Sequence, residues 1–455
     1  MKNIDWQSIE CLLGRPWFYR LWVIQEVSQA RRAIVVCGQS KISWTVLATS
    51  LAYIVQNDLT NHLDPVCIFP CNNVIGIQQI RRRYYKDPLF TIALENTHGS
   101  CRDPKDKIFA LMSISGGCDM FDWETSFDYD LSVEELYKRF AIWDIVRNRT
   151  LRILTCVTPP SEYSDQPTIL PSWVPDWTRT LDRQLLVRVN ATSKVSAGSR
   201  KDGEVWFSRE KTIMYAEGII INSIGVTGSE TYSLKITSIF EIDSASVNEL
   251  QATKEWLLEY WNVAKDSHLM TRKTYDAFWR TMLCDMDDKG LPAPKRYSEY
   301  FLEYFKSMRE APDMLKTILE NPAPVVPFAI KGSYRLVKLA TSIGLTSESS
   351  LSHSWRLNMW FDEYLRSSTL IENLLHKWGK SKRFCRTRDG RLARVPTHAA
   401  MGDVICILHW SEVPHVIRSQ GDGTYTVIGE CYVHGVMHGE ALELPSYRPE
   451  ILRLH

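Results

Sequence analysis

Twelve consecutive residues, Arg15-Pro16-Trp17-Phe18-Tyr19-Arg20-Leu21-Trp22-Val23-Ile24-Gln25-Glu26, combine four aromatics and two arginines with a glutamate. Read as one helix opened by Pro16 at its first position, the run places Phe18, Trp22 and Glu26 on one line at i, i+4 and i+8, with Arg20, Leu21 and Gln25 beside it. A carboxylate on such an apolar stripe is expected to be partly buried, which is costly unless it is paired. Two readings follow. Arg15 or Arg20 forms an internal ion pair with Glu26, or the ionisation of Glu26 has a chemical use and Glu26 is the candidate catalytic residue.

The other constellations are weaker. Asp103 and Asp106 follow Arg102 where a loop enters a helix, a place that reads as capping carboxylates favoured by the helix dipole rather than as a catalytic pair. Cys431-x2-His434-x3-His438 has zinc-ligand types, but a closed zinc site needs a fourth ligand. The segment is read instead as a strand running into a glycine turn, and no metal is assigned. No phosphate-binding glycine loop, dinucleotide fingerprint or nucleophile elbow occurs.

Composition narrows the class. The chain has 455 residues with 44% hydrophobic content, ordinary for globular protein and long enough for roughly two to three domains. With 54 basic and 53 acidic residues there is no general electrostatic footprint for nucleic acid or an acidic membrane. The clusters Arg81-Arg82-Arg83 and Lys380-Ser381-Lys382-Arg383 read as solvated faces. The start has no secretory pattern, and no apolar run approaches the ~20 residues of a membrane helix. Eleven cysteines without a C-x-x-C pair favour reduced thiols in a cytoplasmic protein over a disulfide framework. The sixteen tryptophans read mostly as core.

The elements that must position these residues alternate between helical and β patterns. Asp5 caps a short helix to Leu13, and the aromatic helix runs to about Ala30. Residues 33–38 form a strand with Ile42-Ser43-Trp44 as its return, and Thr45 caps a helix to about Gln56. Further helices are expected over 75–85, 89–95, 106–114 and 133–147, the last with Ser132 and Glu135 as a capping box. Gly117-Cys118-Asp119 supplies a turn between the last two of these helices, and a proline-rich linker at Pro159-Pro160 follows them. Strands are expected over 185–190, 205–207, 213–217 and 219–224. Residues 249–378 read as helical, broken at 290–294 and at Pro322–Pro327. Final strands fall over 404–408, 414–418, 424–428 and 431–433, with Gly421-Asp422-Gly423 as a hairpin turn. The fold class is α+β, in four regions: 1–150; an extended and β segment, 151–230; a mainly helical region, 231–380; and a small C-terminal β module, 381–455, packing on 185–227.

Arg15, Trp17, Arg20, Trp22, Gln25 and Glu26 together resemble the R-x-W-x-x-R-x-W-x-x-Q-E block of fungal heterokaryon-incompatibility (HET) domains. Asp103-Pro104-Lys105-Asp106-Lys107, ending at Ala110-Leu111, is similar to the family's D-P-R-D-K-x-x-A-L block, with Lys105 where arginine is usual. Asp128-Tyr129 before Val133-Glu134-Glu135-Leu136-Tyr137 resembles the next block. Residues 429–441, from Gly429-Glu430-Cys431 to Gly439-Glu440-Ala441, resemble the C-terminal segment of many such proteins. The S-Y-x-W-G and W-I-D-x-x-C-I-N-Q blocks of the domain's N-terminal half are absent, so residues 1–150 are expected to be its C-terminal half. The resemblance implies a TIR-like α/β layer, non-self recognition, programmed cell death as a form of innate immunity, and other incompatibility or signalling proteins or a homo-oligomer as partners. It implies no cofactor, with NAD as a substrate if Glu26 stabilises an oxocarbenium-like centre as glycosidase carboxylates do. A non-catalytic interaction scaffold and an inactive shortened paralogue are the alternatives.

Overall fold

The computed structural model describes residues 4–57, 59–82, 87–116, 129–158, 170–181, 185–186, 196–198, 203–230, 244–265, 271–320, 369–443 and 448–455. The turn at 117–119, the linker at Pro159-Pro160, the break at 322–327 and all but the first two residues of the 185–190 strand lie outside them. The chain divides into two compact units, one of residues 1–182 with 209–212, the other of residues 183–208 with 213–455.

The first unit is mainly helical. Helix α1 (Trp6–Leu13) is capped by Asp5, whose carboxylate accepts from the Ser8 amide. Helix α2 (Trp22–Gln29) precedes the hairpin of β1 (Ile34–Cys37) and β2 (Ser40–Ser43). Helix α3 (Trp44–Gln56) is capped by Ser43, whose hydroxyl accepts from the Val46 amide, and not by Thr45. Helices α4 (Ile68–Arg82), α5 (Leu89–Glu95), α6 (Asp106–Met112) and α7 (Val133–Asn148) follow. Ser132 caps α7 through the Glu135 amide. Helix α2 packs on α4 and α6 through Val23, Ile24 and Val27, all buried. Among this unit's described residues, the hairpin is the only strand pair.

The second unit is built on β3 (Val205–Phe207) and the long strand β4 (Met214–Glu230). Helices α8 (Ser244–Ala264), α9 (Arg272–Met282), α10 (Tyr297–Glu320) and α11 (369–379) come next. They lead into β5 (Lys382–Thr387), β6 (Leu392–Pro396), β7 (Val404–Leu408), β8 (His415–Ser419), β9 (Tyr425–Glu430), β10 (Tyr432–Val433) and β11 (Glu450–Leu454). Strand β4 pairs with β11 through residues 214–218, with β7 through 218–223 and with β5 through 224–230. Strand β3 pairs with residues 214–216 as a fourth partner, and register shifts along β4 let one strand serve β7 and β5 in turn, since each bulge re-aims the chain. At Gly218 a Cβ would stand 2.5 Å from the Ile407 carbonyl oxygen, so only glycine permits that crossing.

The ladder β4–β7–β8–β9–β11 returns to β4 and closes a barrel. Its interior holds Ile219, Ile221, Ile405, Ile407, Val416, Ile428 and Cys431. A second core joins the helices to Phe384 and Leu392 through Tyr260, Phe278, Trp279, Phe301 and Trp378. The class is α+β. Lys382 is not on a solvated face as expected. It lies in β5, nearly inaccessible, with Nζ 3.4 Å from the equally buried Glu430 carboxylate. No helix among the described residues is long and apolar enough to cross a membrane.

Candidate functional site

The aromatic hallmark segment is not one helix. Residues Pro16–Tyr19 form a single 3-10 turn with proline at its start, and Arg20 then turns extended with ψ at 130°. The cause is a tertiary pairing: the Leu21 amide donates to Ser100 at 2.9 Å and the Ser100 amide donates to Tyr19 at 2.6 Å. Gly99 permits this approach, because a Cβ there would lie 2.6 Å from Leu21 Cδ1. Two further groups fix the segment. The buried Asn73 amide donates to the Phe18 carbonyl at 2.8 Å. Arg81 donates through Nη1 to the Val27 carbonyl and, at 2.8 Å, to that of Ala30. Arg81 was expected on a solvated face; it caps the C-terminal end of α2, where a cation is favoured.

The break at Arg20 undoes the expected line of Phe18, Trp22 and Glu26. Phe18 and Leu21 turn inward, Trp22 and Gln25 are half-buried, and Arg15, Arg20 and Glu26 are exposed. Among the described residues no ion pair joins Glu26 to either arginine. Arg15, Trp17 and Glu26 nevertheless share one groove of about 490 Å³, with Arg32, Trp44 and the length of β1. Trp17 meets Trp44 edge-on at 6.1 Å between ring centroids. Trp44 is 1% exposed, and its indole N–H has no acceptor among the described residues. Arg20, Trp22 and Gln25 do not line the groove. Arg32 and Trp44, on either side of the hairpin, were not singled out from sequence, since nothing local marks them.

Asp103 and Asp106 both bond within the protein, and neither side chain caps the start of α6. Asp103 accepts from the Lys105 amide at 2.9 Å, and Asp106 accepts from the Tyr129 hydroxyl at 2.7 Å. Lys105 bonds the carbonyls of Tyr129 and Leu131. Lys107 donates to the carbonyls of Thr97 and Gly99 at 2.6 and 2.7 Å, and burial holds its ammonium below the usual lysine range. This block therefore clamps the 97–100 loop that holds Arg20 extended.

In the second unit a cavity of about 210 Å³ is lined by Arg280, Asp285, His434, His438 and Glu440 among others. Cys431 does not join these histidines; it is buried in the barrel interior, where burial pushes its thiol up. Among the described residues no three metal-ligating side chains converge.

The comparisons with known proteins fall on both units. Residues 355–448 match the Het-6 β-barrel domain. Both matches point to the heterokaryon-incompatibility proteins. It is similar, at 22% identity over 94% of its length, to heterokaryon incompatibility protein 6, OR allele, of Neurospora crassa. It spans 64% of that relative's length. No solved structure matches. The Het-6 barrel of this chain closes only with strands from outside the matched span: β4 precedes it and β11 follows it.

Proposed function

We propose that this heterokaryon-incompatibility protein acts in non-self recognition in the cytoplasm, with programmed cell death as its output, and that the groove of the first unit is a recognition surface. The observation that supports this reading is the composition of the groove. It gathers Arg15 and Trp17 of the hallmark segment with Arg32 and Trp44 in an open, half-apolar channel. Arginine and tryptophan are the residue types that dominate binding hot spots. A carboxylate meant for covalent or general acid–base chemistry would be positioned by partners and screened from water. Glu26 is exposed on α2, which favours recognition over catalysis.

A second reading keeps the implied TIR-like, NAD-cleaving activity, because Glu26 shares its groove with two arginines and two tryptophans, groups that suit a phosphate and a ring. Expression in a fungal host separates the two. Recognition predicts that wild-type protein arrests growth, that Arg15→Glu with Arg32→Glu abolishes the arrest, and that Glu26→Gln retains it with cellular NAD unchanged. NAD loss that disappears in Glu26→Gln, at an unchanged unfolding midpoint, establishes the enzyme instead. Growth arrest unaffected by either variant overturns the role of the groove.

A further inference from the structure

Strand β1 is an unprotected sheet edge. It pairs with β2 alone among the described residues, and its sequence Ile-Val-Val-Cys contains no charge, proline or bulge of the kind that normally blunts an edge. The phase of the pairing is fixed by Trp44, whose amide donates to the Ala33 carbonyl at 3.0 Å. Antiparallel pairing alternates, so residues 33, 35 and 37 turn their polar groups toward β2. Ile34 and Val36 turn theirs to the open side.

The side chains are equally available. Ile34 is 63% and Val36 58% exposed. Across the hairpin Lys41 stands opposite Val36 and Ser43 opposite Ile34, so these four share one face. Arg31 and Arg32 precede the strand; both, like Lys41, are exposed, and none of the three is ion-paired among the described residues. Cations thus flank an apolar centre. Beside it runs the groove, whose tryptophan Trp44 carries a buried N–H without an acceptor among the described residues.

We propose that β1 receives an extended segment of a partner protein as a third strand, one with β-branched residues at its centre and acidic residues at its ends. Main-chain bonds to Ile34 and Val36 supply affinity, as in strand-addition complexes, and the groove receives alternate side chains. The acidic ends meet Arg31 or Arg32 on one side and Lys41 on the other. A second copy of this chain fits less well, because edge-to-edge pairing of β1 brings these cations against one another, and like charges across a strand pair destabilise it. The inference rests on the groove being a recognition surface and names the chemistry of what it recognises.

The test uses the full chain and a short fluorescein-labelled peptide of alternating valines flanked by aspartates, read by fluorescence anisotropy. Wild-type protein binds it. Lys41→Glu with Arg31→Glu weakens binding by roughly tenfold or more, as reversal of complementary charge does. Val36→Pro removes the outward amide without touching the β2 pairing and weakens binding comparably, with the unfolding midpoint unchanged. The same peptide N-methylated at alternate amides does not bind. Equal binding of a lysine-flanked peptide, or of the N-methylated one, overturns strand addition. Dimerisation lost in Val36→Pro, in sedimentation, assigns the edge to a second copy and overturns the acidic partner. If the peptide does not bind while Arg15→Glu with Arg32→Glu still abolishes growth arrest, this inference fails and the recognition reading stands. If the peptide binds but growth arrest ignores the groove, the inference stands and that reading fails.

Discussion

The ammonium of Lys382 and the carboxylate of Glu430 stand 3.4 Å apart at 2% and 1% exposure. Glu430 also accepts from the Leu186 amide at 3.0 and 3.2 Å, so its charge is held by a cation and a backbone donor together. Removing one ion of a buried pair strands the other, which costs about 3–5 kcal/mol, whereas removing both charges is often close to neutral. Lys382→Met is therefore expected to lower the stability of the second unit by about that amount, and Lys382→Met with Glu430→Gln to recover most of the loss. Urea unfolding of both variants checks this; a double variant no more stable than the single one would show that the pair is not coupled. Nothing in the run Lys380-Ser381-Lys382-Arg383 marks its third residue as buried, because the partner lies far along the chain. The identities Arg15, Trp17 and Glu26 were legible and do share a groove. The break at Arg20, which decides how they share it, comes from Ser100 and has no local signal.

Elements were legible where local chemistry fixes them. Ser132 caps α7, strands 205–207 and 404–408 lie where short apolar runs between turns place them, and Gly421 and Gly423 take φ of 85° and 82° in their hairpin. Strands β5, β6 and β11 escaped sequence reading for a physical reason. Strand β6 carries Arg394 and Pro396 inside a run that is buried throughout, so neither an apolar run nor a period-2 alternation marks it, and β5 and β11 interleave charges with apolar residues. Arg81 is a further tertiary feature: its bonds to the Val27 and Ala30 carbonyls satisfy groups that α2 leaves open at its end. Arg81→Met is expected to destabilise the first unit by about 1–2 kcal/mol, with Arg81→Lys losing less because a single ammonium still meets the helix dipole. Hydrogen exchange should quicken at the last amides of α2 in Arg81→Met; unchanged protection there would remove Arg81 from the account.

At the scale of the whole chain, the two units carry buried titratable groups with opposite pH linkage. In the barrel, Ser411 donates its hydroxyl proton to the Val413 carbonyl at 3.0 Å, so at 2.7 Å its oxygen accepts from Nε2–H of His415. Nδ1 is then the bare nitrogen, buried without a partner among the described residues. Protonating it would place an unpaired charge in the barrel, and burial pushes the imidazole down to about 3. A histidine depressed in the folded state stabilises it above the unfolded value near 6.5 and loses that stability as pH falls toward 3. Moving from pH 7.5 to 5 should cost the second unit about 2 kcal/mol through this group. In the first unit Asp144 is buried on α7, its Oδ1 bonded to Asn148 and its Oδ2 without a hydrogen bond among the described residues, and burial raises it to about 7. A carboxyl raised in the folded state favours folding while protonated, so this contribution is lost as pH rises from about 4 to 7, by about 2–3 kcal/mol between pH 5 and 7.5. His415→Gln should flatten the acid-side loss of the second unit, and Asp144→Asn should flatten the alkaline-side loss of the first. Differential scanning calorimetry at pH 5, 6 and 7.5 distinguishes them. If both variants shift the transitions by the same amount at every pH, the linkage is absent and the two groups act only through packing.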